Sequence, residues 1–122
     1  MQTNEKSLYE RIGGHEAVEA SVTVFHRKIF ADPVLSPFFE TTNLPELNKK
    51  LVEHLSYLLG GPDEYHGKSL REAHKHLFLN ENHFSAIIYN LSETLNELNV
   101  PPILINEFIQ IISRTKADIL NE

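Results

Sequence analysis

Apolar residues recur along this chain at the three- and four-residue steps of a helix face. Between about residues 15 and 31 these steps are carried by Val18, Val22, Phe25 and Ile29, which lie on one side of a helix. Three further stripes follow the same spacing: Leu44, Leu47, Leu51, Leu55 and Leu58; then Phe84, Ile87, Ile88, Leu91, Leu95 and Leu98; then Ile105, Phe108, Ile109, Ile112 and Ile119. No stretch alternates apolar and polar residues long enough to predict a strand, so the pattern predicts an all-α chain.

Glycines and prolines separate these stripes. Ser7 and Glu10 have the spacing of a capping box, which predicts a short first helix that Gly13 and Gly14 end. The long helix over about residues 15 to 31 follows it.

A corner comes after the long helix. Pro33 and Pro37 forbid a regular helix between residues 31 and 42. A tight turn is still allowed there, and we expect it to carry Phe38 and Phe39 inward.

Polar residues mark the starts of the later helices. Asn43 caps the helix of the leucine stripe, and Asn80 caps the helix that begins with Phe84 on its apolar side. Two prolines open the last helix, which we expect to run without a break through Ile119.

A short helix between these elements carries the first candidate ligand. Ser69 and Glu72 form a capping box over it. His74 lies one turn from Leu70 and Leu77, so its imidazole faces the same apolar space as these leucines. Two roles are compatible with this position: a structural histidine that is packed in the core or half-exposed, and a histidine that binds a metal.

Two more histidines lie on apolar faces. His26 follows Phe25 on the buried side of the long helix, and His54 lies beside Leu51 and Leu55. Taken alone, each is explained by a structural role. Three polar rings on three separate apolar faces are unfavourable unless each finds a partner, and one shared cofactor would satisfy them together.

Composition and charge narrow the classes of protein. The 122 residues, 41% hydrophobic and 23% charged, predict a single folded domain over residues 1–122. Eleven Lys and Arg against seventeen Asp and Glu leave a net charge of −6, which argues against nucleic acid and anionic membranes as partners.

The chain contains no cysteine, which excludes disulfides, thiolate metal sites and haem attached through a Cys-x-x-Cys-His motif. It shows no pattern of a signal peptide and no membrane-spanning stretch. A cytoplasmic location is therefore expected.

Several motifs occur in the order of a known family. The chain contains SLYERIGG, ADPVLSPFF, VEHLSYLLGGPDEYHGKSLREAH and the pair His83-Phe84, and it resembles in these a group I truncated haemoglobin of bacterial type. The likeness spans nearly the whole chain. It implies a two-over-two helical sandwich of shortened globin type that holds haem b non-covalently, with His74 as the proximal iron ligand.

The resemblance also implies which residues surround the haem. Phe39 falls where the family packs an aromatic ring on the haem, and Lys50 and Tyr65 fall where side chains reach the propionates. Each of these residues also has a role that does not involve haem. Phe39 could pack in the protein core, and Lys50 and Tyr65 could lie on the solvated surface. His83 is expected near the haem edge or as a helix cap. The implied cofactor-binding set is Phe39, Lys50, Leu55, Tyr65, Leu70, His74, Leu77, Leu79, His83, Phe84 and Ile87.

The implied distal ligand pocket consists of Phe25, His26, Leu47, Leu51 and His54, and here the chain departs from its relatives. The family usually carries tyrosine in place of His26, and often glutamine in place of Leu47 or Leu51. Because leucine has no donor, a hydrogen bond to bound dioxygen has to come from His26, or from His54 if its helix turns it inward. His26 could also bind the iron itself.

Two histidines that some relatives use are absent. One binds iron at the position of Lys50, and the other is linked to a haem vinyl group near Thr115.

The resemblance implies reversible binding of dioxygen, NO and CO by a monomer. It also allows NO dioxygenation, which needs an external reductase because no reductase domain fits in this length. Two other classes are compatible with the residues: a non-haem metal-binding helical protein that uses the same histidines, and a helical interaction module.

Overall fold

The computed structural model describes residues 6–40, 42–61, 74 and 77–121, and this part of the chain contains helices and no strand. The elements are α1 (Leu8–Ile12), α2 (Gly14–Ala31), a 3₁₀ turn (Ser36–Phe39), α3 (Leu44–Leu58), α4 (Glu81–Glu97), α5 (Pro102–Ser113) and α6 (Lys116–Leu120). The all-α prediction is confirmed. The predicted capping box of Ser69 and Glu72 lies outside the described residues.

The helices are arranged in two pairs. Helix α2 packs on α3, and α4 packs on α5, while α2 also packs on α4 and so joins the pairs. The short helix α1 contacts both α2 and α5. This arrangement is the expected two-over-two sandwich.

The core lies where the apolar faces of α2, α4 and α5 meet. Val22 of α2, Leu95 of α4 and Phe108 of α5 are fully buried. Val18 and Ile29, one or two turns away on α2, are 1% and 3% exposed, so the apolar face predicted for this helix is confirmed. Burial of this kind stabilises the fold by about 1.5–3 kcal/mol for each large side chain.

Polar caps define where the helices begin, as the sequence predicts. The Ser7 hydroxyl accepts from the backbone N–H of Glu10 at 3.2 Å, and the Asn43 amide oxygen accepts from the N–H of Glu46 at 3.2 Å. Gly13 separates α1 from α2 with φ of +122°, a conformation that favours glycine because any side chain would be strained there.

The last helix is not continuous, and that part of the prediction is wrong. Helix α5 ends at Ser113 and α6 starts at Lys116. Between them, the backbone N–H and the hydroxyl of Thr115 both bond to the carbonyl oxygen of Ile112, at 2.9 and 2.6 Å. These local bonds tighten the backbone and turn α6 onto α4.

Within the part of the chain that the structure describes, no helix is both long enough and apolar enough to cross a membrane.

Candidate functional site

Helices α2 and α3 bring two of the three candidate histidines into the protein. His26 on α2 is 3% exposed, and His54 on α3 is 9% exposed. Their apolar neighbours Phe25 and Leu55 are also buried. The sequence prediction that His26 lies on a buried face is confirmed, and α3 does turn His54 inward.

His26 is hydrogen-bonded to Asn48 on α3, through Nδ1 of the ring and Oδ1 of the amide. The ring centroids of Phe25 and Phe30 lie 5.9 and 6.2 Å from that of His26. Burial lowers the pKa of His26 from its usual value, and the bond to Asn48 opposes part of this effect. The ring is therefore neutral at pH 7.

The charge of His74 acts on His54. The pKa of His54 is lowered first by burial and then by the charge of His74. His74 is half-buried, and its carbonyl oxygen accepts from the N–H of Leu77 at 3.1 Å. The fold thus brings together two histidines that are twenty residues apart in the sequence.

A row of rings leads from His26 to the corner after α2. Phe30 lies 6.2 Å from His26 and 5.4 Å from Phe39, measured between ring centroids. Phe39 and its neighbour Phe38 are both half-buried. The 3₁₀ turn therefore carries both phenylalanines inward, as expected from its sequence.

His83 caps helix α4. Its Nδ1 accepts from the backbone N–H of Asn80 at 3.0 Å, while the Asn80 side chain accepts from the N–H of His83 at 3.1 Å. The ring of Phe38 packs edge-on against His83 at 4.9 Å. Of the two roles expected for His83, the helix cap is confirmed.

The remaining candidate residues differ in burial. Phe84 is buried and Lys50 is exposed. Tyr65 and Leu70 lie outside the described residues. The half-buried apolar members of the candidate set are Leu47, Leu51, Leu77, Leu79 and Ile87.

Two residues of this site were missed by the sequence prediction. Asn48 sits between Leu47 and Leu51 on α3, and an amide beside a leucine stripe was the available signal. Phe30 lies next to Ile29 of the buried face, and its ring connects His26 to Phe39. Only their contacts across the fold give these residues a place in the site.

The described residues fit a haem. This group needs apolar side chains for its faces, a nitrogen ligand for its iron and solvent access for its propionates. Leucines at 47, 51, 77 and 79 and the isoleucine at 87 leave part of their surface uncovered, His74 offers the nitrogen, and Lys50 stands in solvent. Among the same residues no three His, Asp or Glu side chains are grouped to hold a metal ion by themselves.

Comparison with known proteins agrees with this geometry. Residues 7–121 match the model of the bacterial-like globin family. A group 1 truncated haemoglobin of Tetrahymena pyriformis is 41% identical over 117 residues, which cover 96% of this chain and 97% of that protein. Another, from Synechocystis, is 35% identical over 122 residues and covers 95% of this chain and 98% of that protein.

Solved structures carry the same likeness in three dimensions. The crystal structure of the Tetrahymena pyriformis protein in its Fe(III) form has a TM-score of 0.91 and 42% identity, covering 94% of this chain and 98% of that one. The 2/2 haemoglobin of Synechococcus, in the cyanomet state with covalently attached haem, has a TM-score of 0.92 and 37% identity, covering 96% of this chain and 100% of that one. The chain belongs to the bacterial-like globin family, as a truncated haemoglobin that binds haem and small diatomic ligands.

Proposed function

We propose that this chain, folded as a single domain over residues 1–122, holds haem b non-covalently with His74 as the protein ligand of the iron. The observation that carries the proposal is that His26 and His54 are buried on two helices that pack together, α2 and α3, and that the charge of His74 reaches His54. Bound haem supplies a ferrous iron to which dioxygen, NO or CO can bind.

The apolar side chains around the space exclude water. Leu47 and Leu51 cover it from α3 and Ile87 from α4, and their hydrocarbon surfaces slow oxidation of the iron. Phe39 would pack its ring on a bound haem, and Lys50 would reach a propionate from the solvent side. The family resemblance assigns the second role to Tyr65 as well, and it assigns further haem contacts to Leu55, Leu70, Leu77, Leu79, His83 and Phe84.

Two features of the chain support non-covalent attachment. The chain has no cysteine, and the position near Thr115 carries a hydroxyl bonded to the carbonyl of Ile112 at 2.6 Å. A hydroxyl engaged in this way does not form a link to a haem vinyl group. We therefore expect this chain to differ from the Synechococcus protein, whose haem is covalently attached.

Phe25, His26, Leu47, Leu51 and His54 would line the side of a bound haem at which a ligand enters. Of these side chains only the two histidines carry polar groups, so they alone can bond to a ligand or to the iron. NO dioxygenation by this pocket, which needs an external reductase, remains a prediction, as do a monomeric state and a cytoplasmic location.

An absorption spectrum tests the proposal. The purified chain supplied with haem should show an intense Soret band, and His74→Ala should lose the spectrum of imidazole-ligated haem while keeping its helical circular dichroism. Free imidazole should restore part of the spectrum. The control is His15→Ala, which removes an exposed histidine whose side chain is 58% accessible.

An unchanged spectrum in His74→Ala would overturn His74 as the ligand. Tight zinc binding without a Soret band would support a non-haem metal protein instead. If the chain showed neither a Soret band nor zinc binding, it would be a helical interaction module.

A further inference from the structure

A cleft of about 340 Å³ lies between the end of α2 and the middle of α4. We call it the α2–α4 cleft, and it is lined by Lys28, Ala31, Asp32, Tyr89, Asn90 and Glu93. None of these residues belongs to the set assigned to haem or to its ligand. The volume lies within the range of about 300–1,000 Å³ that is typical of small-molecule sites.

Asn90 gives this cleft an amide oxygen that is free to accept a hydrogen bond. The residue is 6% exposed, and its Nδ2 donates to Oδ2 of Asp32 and to the carbonyl oxygen of Ala86, each at 2.8 Å. No donor among the described residues bonds to its Oδ1. In this part of the chain only the Ser56 hydroxyl is both enclosed and unbonded, so Oδ1 of Asn90 still reaches open space. Because Asn90 lines the cleft, this oxygen can accept from a molecule bound there.

The charges around the cleft favour a cation. The hydrogen bond from Asn90 is the largest of the causes that lower the pKa of Asp32, so this carboxylate is charged at pH 7. Lys28 is the only positive lining residue, and its Nζ lies 3.2 Å from Oε1 of Glu97. Glu93 is exposed, and no cation among the described residues pairs with it. The cleft therefore has two carboxylates in addition to the Lys28–Glu97 pair, and the end of α2 adds partial negative charge.

Tyr89 supplies an aromatic wall. Its side chain is 64% exposed, and it precedes Glu93 by four residues, so the ring and the carboxylate lie on the same face of α4. The face of an aromatic ring attracts ammonium and guanidinium groups. These groups also donate hydrogen bonds to carboxylates, and such bonds are stronger than those between neutral partners.

We propose that the α2–α4 cleft binds a small organic cation that carries N–H donors, in the form of an ammonium or a guanidinium group. The cation pairs with Glu93, lies against the ring of Tyr89 and donates to Oδ1 of Asn90. The charge of Asp32 adds to the attraction. A bare metal ion suits the cleft less well, because it would leave most of the volume unfilled. This site goes beyond the proposed haem binding and does not depend on which residue binds the iron.

The first experiment locates the binding by nuclear magnetic resonance. The probe is agmatine, which has an ammonium group at one end and a guanidinium group at the other. It is added to the full 15N-labelled chain in the haem-loaded ferrous CO form, which is diamagnetic. We expect saturable shifts of the side-chain NH2 signals of Asn90 and of the backbone signals of Tyr89 and Glu93, with half-saturation at about 1 mM or below. Shifts that do not saturate, or that leave Asn90 unchanged, would overturn the proposal.

The second experiment repeats the titration with variants. Glu93→Gln should weaken agmatine binding by about twofold to fivefold, as expected for the loss of one exposed ion pair. Tyr89→Leu should weaken it by a similar factor, because the attraction to the ring is lost. The control is Glu53→Gln, which makes the same change of charge at an exposed position of α3 and should bind as the wild type does. Equal weakening in the two glutamine variants would show attraction to the overall negative charge and would overturn the site.

The third experiment tests the chemistry of the cation. Methylammonium and tetramethylammonium carry the same single charge, but only methylammonium has N–H donors. We expect methylammonium to shift the Asn90 signals at a concentration about threefold lower or more. Equal binding of the two would contradict the role of Oδ1 and overturn the proposal. Calcium ions that shift the same signals at a lower concentration than agmatine would show a metal site and would overturn it as well.

Discussion

Asn90 and Asp32 are joined by a hydrogen bond that crosses between helices: Nδ2 of Asn90 donates to Oδ2 of Asp32 at 2.8 Å. The same amide donates to the carbonyl of Ala86 at 2.8 Å, and the other carboxylate oxygen of Asp32 accepts from the N–H of Val34 at 2.8 Å. Asn90 lies within α4 and is 6% exposed, and Asp32 follows α2 directly. The bond fixes the corner after α2 onto α4.

Removing this amide should weaken the fold. Asn90→Ala leaves the Asp32 carboxylate without its side-chain partner, and we expect the free energy of unfolding to fall by about 1–3 kcal/mol. Urea unfolding followed by circular dichroism measures this free energy in the wild type and in the variant. Asn96→Ala, at an exposed site on the same helix, is the control, and equal losses in both variants would contradict the assigned role.

Phe39 should matter more for haem retention than for folding. A fully buried Phe→Ala change removes about 3–5 kcal/mol of stability, and half-buried Phe39 should lose less than this. Transfer of haem to an apo-globin scavenger should nevertheless be faster in Phe39→Ala. Tyr57→Ala, which truncates an aromatic side chain that is 54% exposed on α3, serves for comparison. A haem-loss rate equal to that of the wild type would place Phe39 away from the cofactor.

His26 should make the fold sensitive to acid. Burial lowers its pKa in the folded chain, whereas the unfolded chain titrates near the ordinary value of about 6.5. Below that pH the unfolded state binds more protons, so the free energy of unfolding falls as the pH drops from neutral toward the lowered pKa of the folded state. His54, whose pKa is also lowered by burial, acts in the same direction.

His26→Leu should therefore reduce the loss of stability between pH 7.5 and pH 5.5. Urea unfolding of the haem-loaded chain at both pH values measures this loss. His15→Leu removes an exposed histidine and should retain most of the wild-type difference. If the two variants lose the same free energy of unfolding between these pH values, His26 does not contribute to the pH dependence of stability.

The cap at the start of α4 can be separated from any role at the iron. His83→Ala removes the acceptor for the Asn80 N–H and should lower stability by about 0.5–2 kcal/mol. His83→Gln can form the same reciprocal bonds and should restore most of the loss. Thermal unfolding followed by circular dichroism compares the variants, and an altered axial-ligand spectrum in His83→Gln would show that His83 reaches the iron.

The local structure could be predicted because it depends on neighbouring residues. The spacing of Val18 and Val22 defines the buried face of α2, and Asn43 and Asn80 cap the helices that follow them. Such signals work over three or four residues, which is the range of helical hydrogen bonds. The break at Thr115 escaped prediction because no glycine or proline marks it.

The family resemblance named most of the site, but it could not assign the state of each side chain. The sequence marked His26 as a replacement for the usual tyrosine and left open whether it donates or binds iron. The structure adds Asn48, which is 22 residues away along the chain and becomes a neighbour only because α3 packs on α2.

The sequence by itself determined that the chain is helical, that His26, His54 and His74 lie on apolar faces, and that the chain is a globin. Tertiary structure alone decided that His54 is buried within reach of the charge of His74, that Phe30 connects His26 to Phe39, and that Asn48 bonds to the His26 ring. The reason is physical. Apolar periodicity reports which side of a single helix is buried. The hydrogen bond between His26 and Asn48 instead joins two helices, and it forms only after these helices have packed together.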